Sequence, residues 1–129
     1  MDGFRAAVAG EPDDLLGFGF AVRLTETARW LSRATLQPKA FAQLAAAPTL
    51  WLRELQVHPN HQGRGLGRSL HDRLVAGGAE EAVVLTVIPG NEPARSAYDR
   101  WGYELLGQTS HSYDSPMYDV LWLRRATWG

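Results

Sequence analysis

The chain has 129 residues, 45% of them hydrophobic and 21% charged, with 13 basic side chains against 14 acidic ones and no cysteine. A chain of that length buries roughly 65–70% of its unfolded surface, enough for one core without covalent staples. The missing cysteines exclude disulfide scaffolds, thiolate zinc sites and thiol nucleophiles, and a net charge of −1 argues against a nucleic-acid partner.

In chain order, the apolar run Phe4 to Ala9, turn chemistry at Gly10-Glu11-Pro12-Asp13-Asp14 and a second apolar run from Leu15 to Leu24 predict a β-hairpin. Residues 25–48 turn rich in Ala, Leu and Gln. Thr25 can cap one helix and Pro38 can open another, so the stretch reads as a helical insertion. Leu50 to Val57 predicts a strand in the sheet interior that stops at His58-Pro59. Leu66, Leu70 and Leu74, four apart, mark a helix from Gly65 to Ala76, ended by Gly77-Gly78. The β-branched run Ala82 to Ile88 is then a buried strand, and the linking helix makes it parallel to the one before. Asn91 can cap the next helix, whose buried face is Ala94, Ala97, Tyr98 and Trp101. Tyr103 to Thr109 and Met117 to Leu123 predict an antiparallel pair that completes the sheet. No linker or repeat is visible, so residues 1–129 read as one domain.

The stretch that carries chemistry is Val57-His58-Pro59-Asn60-His61-Gln62-Gly63-Arg64-Gly65-Leu66-Gly67-Arg68, a strand feeding a Gly-rich loop that opens a helix. Without Cβ atoms at 63, 65 and 67 the backbone can approach a ligand closely, and the free amides of a helix N-terminus favour an anion. Arg64 and Arg68 add positive charge, so the physical expectation is a pyrophosphate site. A dinucleotide fingerprint beginning at Gly63 needs Gly where Arg68 stands, and a Walker A loop needs a Lys, of which the chain has one, at position 39. His58 and His61 form H-x-x-H, with His71 and Asp72 further on. A metal there would compete with the phosphate for space, and none is assigned. Trp51, Trp101 and Trp122 fall on predicted cores, while Trp30 either lines an acceptor pocket or anchors the insertion.

The loop Gln62-x-x-Gly65-x-Gly67 resembles the Q/R-x-x-G-x-G/A loop of the GCN-related N-acetyltransferase (GNAT) superfamily. Glu54 to Pro59 resembles that family's central strand, and Asn91 to Tyr103 its N-x-x-A-x-x-x-Y-x-x-x-G-aromatic helix block. The resemblance covers about Leu50 to Gln108. It implies an α/β fold with a mixed, mostly antiparallel sheet around a central parallel βαβ unit, and acetyl-CoA as co-substrate. Gln62, Gly63, Arg64, Gly65, Leu66, Gly67 and Arg68 would hold the pyrophosphate. Leu55, Gln56 and Val57 would pair with pantetheine, and Asn91 and Ala94 would border it. Tyr98 would protonate the leaving thiolate, and Glu54 would receive the amine proton.

The resemblance implies a strand and one or two helices before the hairpin, whereas the given sequence starts at or near it. Three explanations stay open: the insertion at 25–48 supplies that wall of the acceptor groove, a second subunit of a homodimer supplies it, or the chain is a truncated fragment. The expected activity is acetyl transfer from acetyl-CoA to a primary amine, of a small molecule or a protein, by direct attack in a ternary complex. The alternative is a non-catalytic acyl-CoA-binding or interaction domain of the same type. The longest uncharged stretch, Ala40 to Leu52, is too short to span a bilayer, and the first five residues, Met1-Asp2-Gly3-Phe4-Arg5, lack a basic signal region. The expectation is a cytoplasmic protein with no membrane partner.

Overall fold

A computed structural model describes residues 4–24, 34–36, 44, 48–76, 80–110, 112 and 114–124. The expected helix starts at Thr25 and Pro38, Trp30 and the glycine stop at 77–78 lie outside the described residues.

The hairpin is β1 (Arg5–Glu11) and β2 (Asp14–Arg23). Its turn is only Pro12-Asp13, because Gly10 and Glu11 still pair with Leu15 and Asp14, past a bulge that follows Ala9. A two-residue strand, β3 (Thr35–Leu36), falls inside the stretch read as helical and pairs with the sheet's far edge. Then follow β4 (Thr49–Val57), α1 (Leu66–Ala76), β5 (Ala82–Val87), α2 (Glu92–Arg100), β6 (Glu104–Ser110) and β7 (Met117–Arg124). The sheet order is β1-β2-β4-β5-β7-β6-β3, and β4 against β5 is the single parallel pairing among these strands. α1 is the crossover that this pairing requires.

Each face of the sheet has its own core. Leu70 and Leu74 of α1, with Tyr98 and Trp101 beside α2, pack on Leu50, Leu52, Val83, Leu85 and Leu121. On the opposite face Leu44 joins Val84, Val120 and Trp122, with Trp51 against them.

A β-bulge decides which residues of β4 face which side. Phe20 pairs with Glu54 and the next residue, Ala21, with Leu52, so Arg53 has no partner in the ladder. Strict alternation would put Leu52, Glu54 and Gln56 on one face. The extra residue instead keeps Leu50, Leu52, Leu55 and Val57 on the helix side, and turns Glu54 and Gln56 to the side of Trp51. The Arg53 guanidinium lies 4.5 Å over the Trp51 ring, leaving Glu54 without it.

A buried carboxylate ties the hairpin to the start of β5. Glu80, only 2% exposed, accepts from Arg5 at 2.5 Å and from Arg23 at 3.1 Å, and Arg5 also donates to the Leu74 carbonyl at 2.9 Å. Burial alone would raise the Glu80 pKa, but the two guanidiniums hold it below the ordinary carboxylate value. Glu80→Gln keeps the shape and leaves two cations facing a neutral amide. Because both arginines stay partly in water, the expected cost is about 2 kcal/mol, below that of a fully buried broken pair. Thermal melting should register it as a drop of roughly 5–10 °C.

Candidate active site

β4 and β5 are paired only from Thr49 to Trp51 against Ala82 to Val84. Beyond that point β4 follows β2 as far as Val57, and β5 follows β7 as far as Val87. The two parallel strands therefore part, and the sheet opens into a wedge. The ladder groups that β5 no longer meets on this edge of β4 are available to an extended ligand.

The wedge leads into a cleft of about 710 Å³ between the N-terminal ends of α1 and α2. Leu55, Gln56 and Val57 form one wall, and Gln62, Gly63, Gly65, Leu66, Gly67 and Arg68 form its end. Asn91, Ala94 and Tyr98 close it from α2. Of the residues expected at a cofactor, Arg64 alone does not line the cleft: it is exposed, with its guanidinium 3.4 Å from His61 Nδ1. Ala97, Pro93, Arg100 and Trp101 also line it, although the motifs did not point to them. Ala97 and Trp101 were visible in the helical period, whereas Pro93 and Arg100 lie off it, at unspecified positions of the Asn91 to Tyr103 block.

The loop has the conformation an anion cradle needs. Gly63 and Gly65 have φ of 80° and 81°, and a Cβ built on either would meet nothing within 4 Å. The space beside both glycines is open. Ser69 N–H donates to the Gly65 carbonyl at 3.0 Å as the first turn of α1 closes. The amides of Leu66, Gly67 and Arg68 thus have no carbonyl within the helix to meet, and they sit at its positive end. The Gln62 carboxamide donates to the Val57 carbonyl at 3.1 Å, fastening the loop to the end of β4. Asn91 accepts from the Ala94 amide at 3.4 Å and so caps α2.

Tyr98 and Glu54 approach the wedge from opposite faces of the sheet. Tyr98 reaches it from α2, its ring edge-on to Trp101 and to Tyr103, each at 5.4 Å between centroids. Burial, and then the negative charge of Glu54, push the Tyr98 phenol up to about 12. The Glu54 charge acts on that phenol although Glu54 does not line the cleft itself. Glu54 Oε1 accepts from Gln56 Nε2 at 2.7 Å, and among the described residues it makes no ion pair. The guanidiniums of Arg53 and Arg124 lie over the rings of Trp51 and Trp122.

Behind Tyr98 is a buried polar chain that no motif announced. His71, 2% exposed, lies 2.9 Å from Asp72 Oδ1 through Nδ1 and 2.8 Å from the Tyr103 hydroxyl through Nε2. A carboxylate only accepts, so Nδ1 donates, and neutral Nε2 accepts from Tyr103. Asp72 also accepts from Arg68 Nε at 3.1 Å, and the Arg68 guanidinium lies 5.5 Å over the Trp101 ring. One connected set of side chains thus links the glycine loop to the packing around Tyr98.

Burial holds the His71 pKa below its ordinary value, with Asp72 only partly opposing the shift. A proton then binds the unfolded chain more readily than the folded one. Stability from this site is complete above pH ~6.5 and falls as pH drops through the histidine range, by up to about 1.4 kcal/mol per unit. Melting from pH 7.5 to 5 should show that slope in the native chain and lose most of it in His71→Gln.

His58 accepts from the Asn60 amide at 3.1 Å and caps the turn Pro59–His61, while His71 faces Tyr103. The three histidines therefore do not converge. Among the described residues no cluster of three or more metal-ligating side chains occurs, and no helix is long and apolar enough to cross a membrane.

A parallel pair that parts beside a glycine-cradled helix N-terminus defines the GNAT fold, and comparison with known proteins agrees. The family model described as FR47-like protein matches residues 31–112, more than half of the chain. This chain belongs to that family, a GNAT-type domain. Among solved structures it is similar to nourseothricin acetyltransferase, at 24% identity and a TM-score of 0.66 over 94% of this chain and 65% of that one. It is also similar to a GNAT-family protein of Desulfovibrio desulfuricans, at 23% identity and TM-score 0.64, covering 96% of this chain and 70% of that one. A third is yncA of Salmonella typhimurium, solved with acetyl-CoA, at 19% identity and TM-score 0.65 over 95% of this chain and 65% of that one. At these identities the likeness is one of fold, and the chain spans just under two thirds of the first and third of these neighbours. No curated protein matches the sequence.

Proposed function

We propose that this chain acts as one domain that binds acetyl-CoA in the wedge and transfers the acetyl group to a primary amine. The observation that carries this reading is the parting of β4 from β5 after Trp51, with the glycine loop at one end of the resulting cleft and Tyr98 at its side. The amides at the start of α1, with Arg68, receive the pyrophosphate. The freed edge of Leu55 to Val57 pairs with the pantetheine amides and aligns the thioester. Tyr98 donates its proton to the departing thiolate, and Glu54 receives the proton of the attacking amine. The protonated phenol at neutral pH supports the acid role, and a carboxylate whose charge acts on it, with no cationic partner among the described residues, supports the other. Relatives of fold solved with acetyl-CoA support the choice of donor.

The test is calorimetric titration of the protein with acetyl-CoA, followed by free-thiol release in the presence of an amine panel. Micromolar binding with amine-dependent thiol release is the expected result. A folded protein that does not bind acetyl-CoA would overturn the reading.

A further inference from the structure

The face of the hairpin next to Glu54 is apolar and open. In antiparallel pairing, directly opposed residues project to the same side, so Phe20 stands beside Glu54 and Phe18 beside Gln56. One strand further out, Ala6 opposes Phe20 and Val8 opposes Phe18. Phe4 continues the row, its ring 6.1 Å from that of Phe20. Phe4 is 52% exposed and Val8 55%, more than scattered surface residues require, and a shallow groove of about 270 Å³ runs between these side chains. A smaller hollow bordered by Phe18 and Gln56 joins this groove to the cleft, since Gln56 and Val57 line both. By the strand register, an apolar track runs from Phe20, beside Glu54, outward over the hairpin.

The track begins at one negative charge. Glu54 shares an oxygen with Gln56 and has no cationic partner among the described residues. The next acids along β2 are in the hairpin turn. Asp14 is six residues from Phe20, roughly 20 Å along an extended strand. Among the described residues, a molecule lying here meets the Glu54 carboxylate at its head and the apolar side chains of Phe20, Phe4 and Val8 behind it.

Resting on the acetyl-transfer reading above, we propose that the acceptor is an alkyl or aralkyl monoamine, its ammonium against Glu54 and its apolar body along Phe18, Phe20, Phe4 and Val8. A second cationic group four or five carbons from the first would lie over phenylalanine, with no acid of the described residues in that row, so diamines and polyamines are poor acceptors. In the transfer the amine, after losing a proton to Glu54 or through it to water, attacks the thioester carbonyl. The C–N bond forms and the C–S bond breaks. The nitrogen gives up its second proton to Glu54 or water as Tyr98 protonates the sulfur, and Tyr98 is reprotonated through Glu54 or from water. The products are an N-substituted acetamide and the free coenzyme A thiol.

The experiment compares pentylamine with 1,4-diaminobutane, which are equal in length and differ in a terminal methyl against a terminal ammonium, and adds the series from ethylamine to hexylamine. Free-thiol release at saturating acetyl-CoA should give a kcat/KM about threefold higher for each added methylene and at least tenfold higher for pentylamine than for the diamine. Phe20→Ala should flatten the series, and so should Val8→Ser, whose exposed position makes it harmless to folding. Acetyl-CoA affinity should be unchanged in both. A flat series, a diamine as good as pentylamine, or an unaltered slope in both variants overturns the proposal. So does turnover confined to peptides with apolar N-terminal residues, which would assign the track to a polypeptide. No thiol release with any amine or peptide overturns the acetyl-transfer reading instead. The track is then judged by titrating the two amines into protein saturated with coenzyme A. Selective pentylamine binding upholds it, and none overturns it.

Discussion

Tyr98→Phe is expected to lower kcat for acetyl transfer by about 10²–10⁴-fold while acetyl-CoA affinity stays within about twofold. A thiolate leaving in a half-buried cleft is poorly solvated, and a proton delivered as the C–S bond breaks removes that cost. The phenol suits the task because burial and the Glu54 charge push its pKa up to about 12. It therefore keeps its proton at every pH at which the protein would be assayed, and it places no descending limb on the rate below pH ~11. The pH profiles of the native protein and of the Tyr98→Phe variant should have the same shape, set by deprotonation of the amine, at different heights. The variant isolates the proton because its ring keeps the edge contacts with Trp101 and Tyr103, and among the described residues the hydroxyl has no hydrogen-bond partner to strand. Melting temperature should change by no more than a few degrees. An unchanged kcat would remove Tyr98 from the acid role and leave it as part of the aromatic packing.

The site was legible where local chemistry dictates local geometry. Gly63 and Gly65 adopt positive φ, Asn91 caps α2, and Ala94, Tyr98 and Trp101 pack on the core from one helical face, as their spacing required. What remained hidden depended on pairing between distant strands. The bulge at Arg53 has no local signal, because it arises from how β4 matches β2, yet it decides that Glu54 looks away from the helices. The strand at Thr35–Leu36 is too short to show a period, and it exists only because Gly107 and Gln108 lie opposite. From sequence His71 could be set beside the H-x-x-H of the loop only as a residue of the following helix, with no metal assigned. Its partner Tyr103 is 32 residues away, and only the packing of α1 against the start of β6 makes it a buried, neutral acceptor. Glu80 is similar: its arginines lie on the first two strands, and no spacing rule connects them.

Gly65→Asp should weaken acetyl-CoA binding at least 100-fold, a loss of about 2.7 kcal/mol, without unfolding the protein. Two effects of the substitution oppose each other in the empty protein. An L side chain at φ 81° costs about 1–2 kcal/mol, though Asp tolerates this region better than most residues. Against that, position 65 immediately precedes the first residue of α1, where an Asp side chain can accept from the next turn's free amides and contributes about 1 kcal/mol to a helix. Nothing in the protein lies within 4 Å of the new Cβ, so no clash adds to the balance, and the melting temperature should stay close to native. In the complex the new side chain acts against the ligand in two ways. The carboxylate takes up the amides that the pyrophosphate needs and puts a negative charge where two more must come. Gly65→Ala divides the result, since it adds the strain and a methyl group but no charge or acceptor, and should lose roughly tenfold. Equal losses for Ala and Asp would make the cradle a matter of backbone shape alone, while native affinity in Gly65→Asp would mean that the pyrophosphate binds elsewhere.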